Sequence, residues 1–259
     1  MTRKRWISVV ACLATLSASA CGGSTPVPPA TSGTPSPTTA EGGPSAPVTE
    51  PYAPRVDPAA FTTTVDNPYF PLRPGMRWDY RSPTEDGVET TVVVVTENVR
   101  TVLGIPCVEV RDTVRLDGEV IEDTLDWYAQ HRDGSVWYFG EDTKEYEDGE
   151  VVSTEGTWRA GVDGAQPGIV MPAEPRPGDR YRQEYYRGHA EDLAEVVAVD
   201  QRATVPAGAY KGVVVTKETT PLEPRVVEQK YYAQGVGPVL TVDVAGGGTR
   251  DELVRFSVR

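Results

Sequence analysis

From residue 61 onward, apolar and polar residues alternate along the chain. In "CVEVRDTVRL" (107–116), Val108, Val110, Val114 and Leu116 fall on one face and Glu109, Arg111, Thr113 and Arg115 on the other. In "VIEDTLDWYA" (120–129), Ile121, Leu125, Trp127 and Ala129 lie together, opposite Glu122, Thr124, Asp126 and Tyr128. A period of two buries one face of a strand and wets the other, the pattern of an antiparallel sheet. Asp117-Gly118 separates these two runs and is a strong hairpin signal, because both turn positions need positive φ. Further Asp-Gly pairs stand at 86–87, 133–134, 148–149 and 163–164. No stretch of helical period competes. The pattern predicts an all-β fold: a long antiparallel meander rolled into a curved sheet, half-barrel or barrel.

The pattern also repeats. At an offset of 104 residues, "VVVVTENVRTV" (92–102) falls on "VVAVDQRATVP" (196–206), Gly104 on Gly208, and "DTLDWYAQ" (123–130) on "VEQKYYAQ" (227–234). One residue out of step, "RPGMRWDY" (73–80) matches "RPGDRYRQ" (176–183). Spacing held over this length predicts two tandem units within a body of residues 61–259. They run from about 73 to 140 and from about 176 to 245, with an insert at 141–175 and a closing strand at 250–258. Taking the more apolar face as the buried one, Trp127 and Tyr231 are expected in the core, with Tyr128 and Tyr232 pointing away.

The N-terminus bears on location. Arg3, Lys4 and Arg5 precede an apolar run, Trp6 to Leu16, and then Ser17, Ala18, Ser19 and Ala20. This order describes a signal peptide over residues 1–20, cleaved after Ala20. The run falls short of the roughly 18 residues a spanning helix needs. Ala18-Ser19-Ala20-Cys21 resembles the bacterial lipobox, with Ala18 where that motif prefers Leu. The resemblance implies that Cys21 is lipidated, with palmitate-type chains, and that the protein is held on the extracytoplasmic face of the cell membrane. Without lipidation the same cleavage would give a secreted protein. Residues 21–60 read as a disordered tether, since 25 of the 37 residues from 22 to 58 are Pro, Gly, Ser or Thr.

Without Arg3, Lys4 and Arg5 the chain carries 22 basic against 38 acidic residues, a net charge of −16. That excludes nucleic acid as a natural partner, since phosphate needs a basic face. With Cys21 acylated, Cys107 has no thiol to pair with, and a packed structural role is expected for it.

Recognisable chemistry is sparse. His131 and His189 sit in no metal-binding spacing, and no cofactor is expected. The chain contains no G-x-S-x-G, no P-loop and no G-x-G-x-x-G followed by a helix. Carboxylates are abundant. Glu141, Asp142, Glu147 and Asp148 form a weak Ca²⁺ candidate without EF-hand spacing. A glycosidase pair is conceivable, but sequence nominates none. Aromatic residues cluster, and Tyr128, Tyr138, Trp158 and Tyr232 are the candidate ligand-facing side chains.

Longer stretches carry a family resemblance. "NPYFPLRPGMRWDY", "DWYAQ" with "DGSVWYFGEDTKEY", "STEGTWRAGVDGAQPGIVMP", "YRQEYY" and "VTKETTPLEPRVVEQKYYAQGVG" resemble uncharacterised bacterial exported proteins and lipoproteins over most of residues 66–240. The resemblance implies no catalytic or binding residue. More remotely, an anchored meander looks like the half-barrel carriers of the LolA and LppX type, an analogy of fold alone. The expected function is a non-catalytic envelope lipoprotein that binds an apolar ligand such as a lipid, a glycan, or another envelope protein. The alternatives are an extracytoplasmic carboxylate-dependent hydrolase and a structural scaffold.

Overall fold

The computed structural model describes residues 51–246 and 248–259. The signal peptide, Ala20, Cys21 and most of the expected tether lie outside them. Folded structure nevertheless begins before residue 61: Tyr52 and Ala60 are buried, and a 3-10 turn, Pro58–Ala60, is capped by Asp57. No described helix is long and apolar enough to cross a membrane.

Sixteen strands are described. The first six are β1 (Phe61–Thr62), β2 (Met76–Pro83), β3 (Val88–Val102), β4 (Ile105–Leu116), β5 (Glu119–His131) and β6 (Val136–Glu147). Five short ones follow: β7 (Glu150–Ser153), β8 (Trp158–Arg159), β9 (Gln166–Met171), β10 (Arg180–Arg182) and β11 (Glu184–Tyr185). The last five are β12 (Leu193–Val205), β13 (Gly208–Thr219), β14 (Val227–Ala233), β15 (Gly237–Ala245) and β16 (Arg250–Val258). The Asp117-Gly118 hairpin forms as the sequence predicts, with φ of 48° and 97°. An equivalent turn joins β3 to β4 at Leu103-Gly104, φ 52° and 78°. A leucine there disguises it.

All neighbours are antiparallel, in the order β10-β12-β13-β14-β15-β16-β2-β3-β4-β5-β6-β9-β11. The two ends of this path belong to one segment. Residues 180–182 pair with β12 and residues 184–185 pair with β9, so the segment spans both edges and nearly closes the sheet into a barrel. Bridging the two ends leaves fewer unpaired backbone groups than an open sheet would present. At the seam a Cβ on Gly168 would collide with the Arg182 carbonyl oxygen, so only glycine lets β9 approach this closely.

The barrel has two similar runs of strands. Shifted by 104 residues, β3 and β4 coincide with β12 and β13 to within a residue at either end, and β14 falls inside the span of β5. Both long pairs, β3–β4 and β12–β13, carry a register shift midway. β16 joins the runs by pairing with β15 and β2.

One end of the barrel is filled by aromatic residues. The segment 66–72 enters it, and the Phe70 ring sits 5.4 Å from Tyr128 and 6.4 Å from Tyr232, between the two Tyr-Ala-Gln strands. Gln130 holds the segment in place. Its Oε1 accepts from the Asp66 and Asn67 amides at 2.9 Å, and Asn67 Nδ2 donates to the Gly134 and Pro172 carbonyls. The second copy's Gln234 is exposed and has no such task.

The expected facing of β5 and β14 is corrected here. Tyr128 and Tyr232 are 1% and 3% exposed, whereas Tyr231 is only partly buried. The register explains it. Val108 pairs with Tyr128, Val110 with Asp126, and Asp112 with Thr124. Cross-strand partners share a face. The valine face of β4 turns inward, and it carries the polar-looking row of β5 with it. Trp127 is buried as well, but on the outer side, where the Arg100 guanidinium lies 5.0 Å from its ring centre.

Candidate functional site: a carboxylate-lined lumen

Along each strand the inward row changes character. Near the plugged end it is Trp78, Val95, Val108, Tyr128 and Tyr138. Towards the other end it becomes Thr91, Asp112, Thr124 and Thr143, and then Glu89 and Glu122. The second run does the same, passing from Tyr232 to Lys230 and Glu228 on β14, and from Val214 to Thr216 and Glu218 on β13. Alternation therefore lines part of the lumen with carboxylates.

Seven of the inward carboxyls are shifted in one direction, upward. Burial pushes the Asp126 carboxyl up to about 7, opposed by the hydrogen bond from the Tyr138 hydroxyl, O–O 2.7 Å. Burial likewise raises Glu122, Glu228 and Asp251 to about 7, even though solvent still reaches all three side chains. All three are thus deeply surrounded on the inward face and still touched by water. Asp112, Glu141 and Glu184 are also held well above the carboxylate range. Burial is the first cause in each case, and neighbouring carboxylates add to it.

The second run carries its own counter-charge. Lys230 Nζ lies 2.7 Å from Glu218 Oε2 and 3.9 Å from Glu228. Glu218 Oε1 also accepts from the Tyr232 hydroxyl at 3.0 Å and from Thr216 at 2.8 Å. Burial would lower Lys230, but the Glu218 and Glu228 charges outweigh it and hold the ammonium above its ordinary value.

The sequence-predicted residues are placed as follows. Tyr128, Tyr138, Trp158 and Tyr232 are all buried. Tyr128 stacks on Tyr138 at 4.8 Å, and Trp158 meets Tyr138 edge-on at 5.2 Å. With Phe70 seated among the aromatics, the apolar cavity beside Tyr128 is only about 20 Å³, room for about one water and not for a lipid chain. The Ca²⁺ candidates do not converge. Glu141 faces the lumen, its neighbour Asp142 faces out to Lys144, and Glu147 and Asp148 are exposed at the β6–β7 turn. Adjacent strand residues point to opposite faces. Among the described residues no group of three or more His, Cys, Asp or Glu is arranged to hold a metal ion. The lumen residues Glu122, Asp126 and Glu228 drew no attention in the sequence, because in an open sheet their face would be the wet one, and Asp112 was passed over as the one polar residue on the valine face of β4.

Cys107 is wholly buried, and burial pushes its thiol up to about 12. A thiol-disulfide reagent is expected to leave it untouched in the native protein and to modify it in urea. Rapid native labelling would place the start of β4 at the surface instead.

No family model matches the chain, and neither does a curated protein. Among solved structures, the crystal structure of a candidate lipoprotein from Parabacteroides distasonis is similar to it, at 12% identity and a TM-score of 0.42. The match covers 73% of this chain and 98% of that one.

Proposed function

We propose that the protein is a non-catalytic lipoprotein of the cell envelope whose barrel holds a ligand in its carboxylate-lined lumen. The observation that carries the ligand site is the inward carboxylate wall, deeply surrounded yet still reached by solvent at Glu122, Glu228 and Asp251. The apolar ligand expected from the aromatic residues loses its support, since Phe70 occupies the aromatic end. Attachment through Cys21 rests on the signal peptide and the lipobox-like Ala18-Ser19-Ala20-Cys21. Two acyl chains would give the stable hold that a single chain does not.

A second reading, hydrolysis by a carboxylate pair, is favoured by one observation: Asp126 and Glu141 are cross-strand partners, and a tyrosine hydroxyl donates to the first. It ranks lower because both carboxyls are nearly or wholly shut off from solvent, at 3% and 0% exposure.

Native mass spectrometry of the full chain, purified in detergent from its own host, tests the leading reading. A non-covalently bound mass supports it. A ligand-free spectrum together with turnover in a glycan or ester panel would replace it with the hydrolase. The anchor is tested separately. Cys21→Ala should move the protein from the membrane fraction to the medium and abolish labelling by an alkyne fatty acid. An unlabelled wild-type protein in the medium would show ordinary cleavage after Ala20.

A further inference from the structure

Four valines in a row give β3 two apolar faces. Val93 and Val95 turn inward and are buried. Val92 and Val94 turn outward, opposite Thr113 and Arg111 of β4, onto the face that alternation keeps wet, and they are half-buried. They form the floor of a cleft of about 480 Å³ on the outside of the barrel. That is the size of a small-molecule site, and it lies across the sheet from the lumen.

Two irregularities of the sheet shape its walls. Glu122 pairs with Val114 but Val120 pairs with Arg115, so Ile121 is an extra residue on β5. Without this bulge Val120 would share the inward row of Glu122, and with it Val120 turns outward beside Arg115. A second bulge stands where β6 meets β7 at Tyr146, with Val152 the extra residue. Arg115, Val120 and Tyr146 all line the cleft, as does Gly149 at the following turn. Bulges re-aim side chains in this way beside functional sites.

The polar groups of the cleft are mostly unspent donors. Asp123 is the one carboxylate in its lining, and Arg111 already holds it with two bonds, Nε to Oδ1 at 2.7 Å and Nη2 to Oδ2 at 2.8 Å. The Thr113 hydroxyl donates to Oδ1 as well, at 3.3 Å. Arg115 is half-buried, and among the described residues its guanidinium meets no carboxylate, hydrogen-bond acceptor or ring. Among them the Tyr146 hydroxyl has no hydrogen-bond partner either. Two guanidinium groups against one carboxylate leave the lining with one net positive charge, in a strongly acidic chain. A fitting ligand must therefore bring acceptors and one negative charge. The guanidinium fork matches a carboxylate with two parallel bonds. A doubly charged phosphate would meet Glu147, Asp148 and Glu150, exposed on either side of Gly149.

We propose that this outer cleft binds a small monocarboxylate with an apolar body. The carboxylate takes the Arg115 fork, the body rests on Val92, Val94 and Val120, and Tyr146 donates from the rim. Nothing in this site belongs to the lumen, so a ligand-free lumen would leave it standing.

The test is calorimetric titration of the full chain in detergent, against a detergent blank, at pH 7 and matched ionic strength. The probes are sodium 4-methylpentanoate, its neutral amide and sodium phosphate. Saturable binding of the carboxylate is expected, at least ten-fold tighter than that of either other probe. Arg115→Gln should weaken carboxylate binding at least ten-fold and leave the amide unchanged. Val94→Asp, which puts a negative charge on the floor, should abolish carboxylate binding, and it decides if the glutamine variant fails to fold. Arg176→Gln, at an exposed pair with Glu174 outside the cleft, should change nothing. No saturable binding, equal affinity for the acid and its amide, tighter binding of phosphate, or equal losses in Arg115→Gln and Arg176→Gln would each overturn the proposal.

Discussion

Raising the pH from 5 to 8 should destabilise this protein, by several kcal/mol. Asp126, Glu122, Glu228 and Asp251 are each pushed to about 7 in the native state, and Asp112, Glu141 and Glu184 are raised as well. In the unfolded chain such groups titrate near 4. Between about pH 4 and pH 7 the native state therefore binds more protons than the unfolded state, so stability falls as pH rises. The contribution is fully present below the unfolded value and is lost once the folded values are passed. For a single carboxyl, a tenfold change in proton affinity on folding is worth about 1.4 kcal/mol. Because the carboxyls raise one another, their contributions do not add in full, and the expected loss is on the order of several kcal/mol.

Charges facing these groups modulate the loss. Lys230 favours ionisation of Glu228 and Asp251, while Glu89, Glu218, Asp192, Asp243 and Glu252 oppose it. Asp79 works the other way. Burial raises it, but hydrogen bonds from Arg77 and Arg255 outweigh that and hold it low, so its contribution is lost only as pH falls through the acid range. Stability should therefore peak near pH 5. Urea midpoints measured from pH 4 to pH 8 check this, and Asp126→Asn should flatten the curve. A midpoint that climbs steadily to pH 8 would mean that the carboxylates are solvated and do not line a lumen.

Tyr128→Ala should cost about 3–5 kcal/mol, the range for truncating a large buried aromatic. Its ring stacks on Tyr138 at 4.8 Å, touches Phe70 at 5.4 Å, and is 1% exposed. Little around it can collapse, because the surrounding strands are tied into one nearly closed sheet. Tyr232→Ala should fall in the same range. It removes the second wall beside Phe70 and a hydroxyl bonded to Glu218, which keeps Thr216 and Lys230 as partners. Tyr231→Ala should cost distinctly less, about 1 kcal/mol, because that ring is only partly buried and its hydroxyl reaches no further than Gln229. Urea unfolding of the full chain for the three variants decides. If Tyr231 proved costlier than Tyr232, the strands would face the opposite way, since a slip of one residue exchanges the faces.

Much of the architecture was legible along the chain. Period-two alternation and Asp-Gly turns announced antiparallel strands, and Asp117-Gly118 turns as expected. The offset of 104 anticipated that β12 and β13 would reproduce β3 and β4. Both signals are local: turn stereochemistry and side-chain alternation are set by neighbouring residues. Which face of β5 looks inward was not legible. Its two faces are comparably mixed, Ile121, Leu125 and Trp127 against Thr124, Asp126 and Tyr128, so composition alone favoured the wrong one. The choice came from pairing with β4, whose valine face had to be buried, and from closure through residues 180–185, which turned a surface into a lumen. The exchange of Asp126 for Lys230 could be read in the text from the start. It acquired meaning only when the barrel placed both side chains inside, Asp126 under the Tyr138 hydroxyl and Lys230 against Glu218.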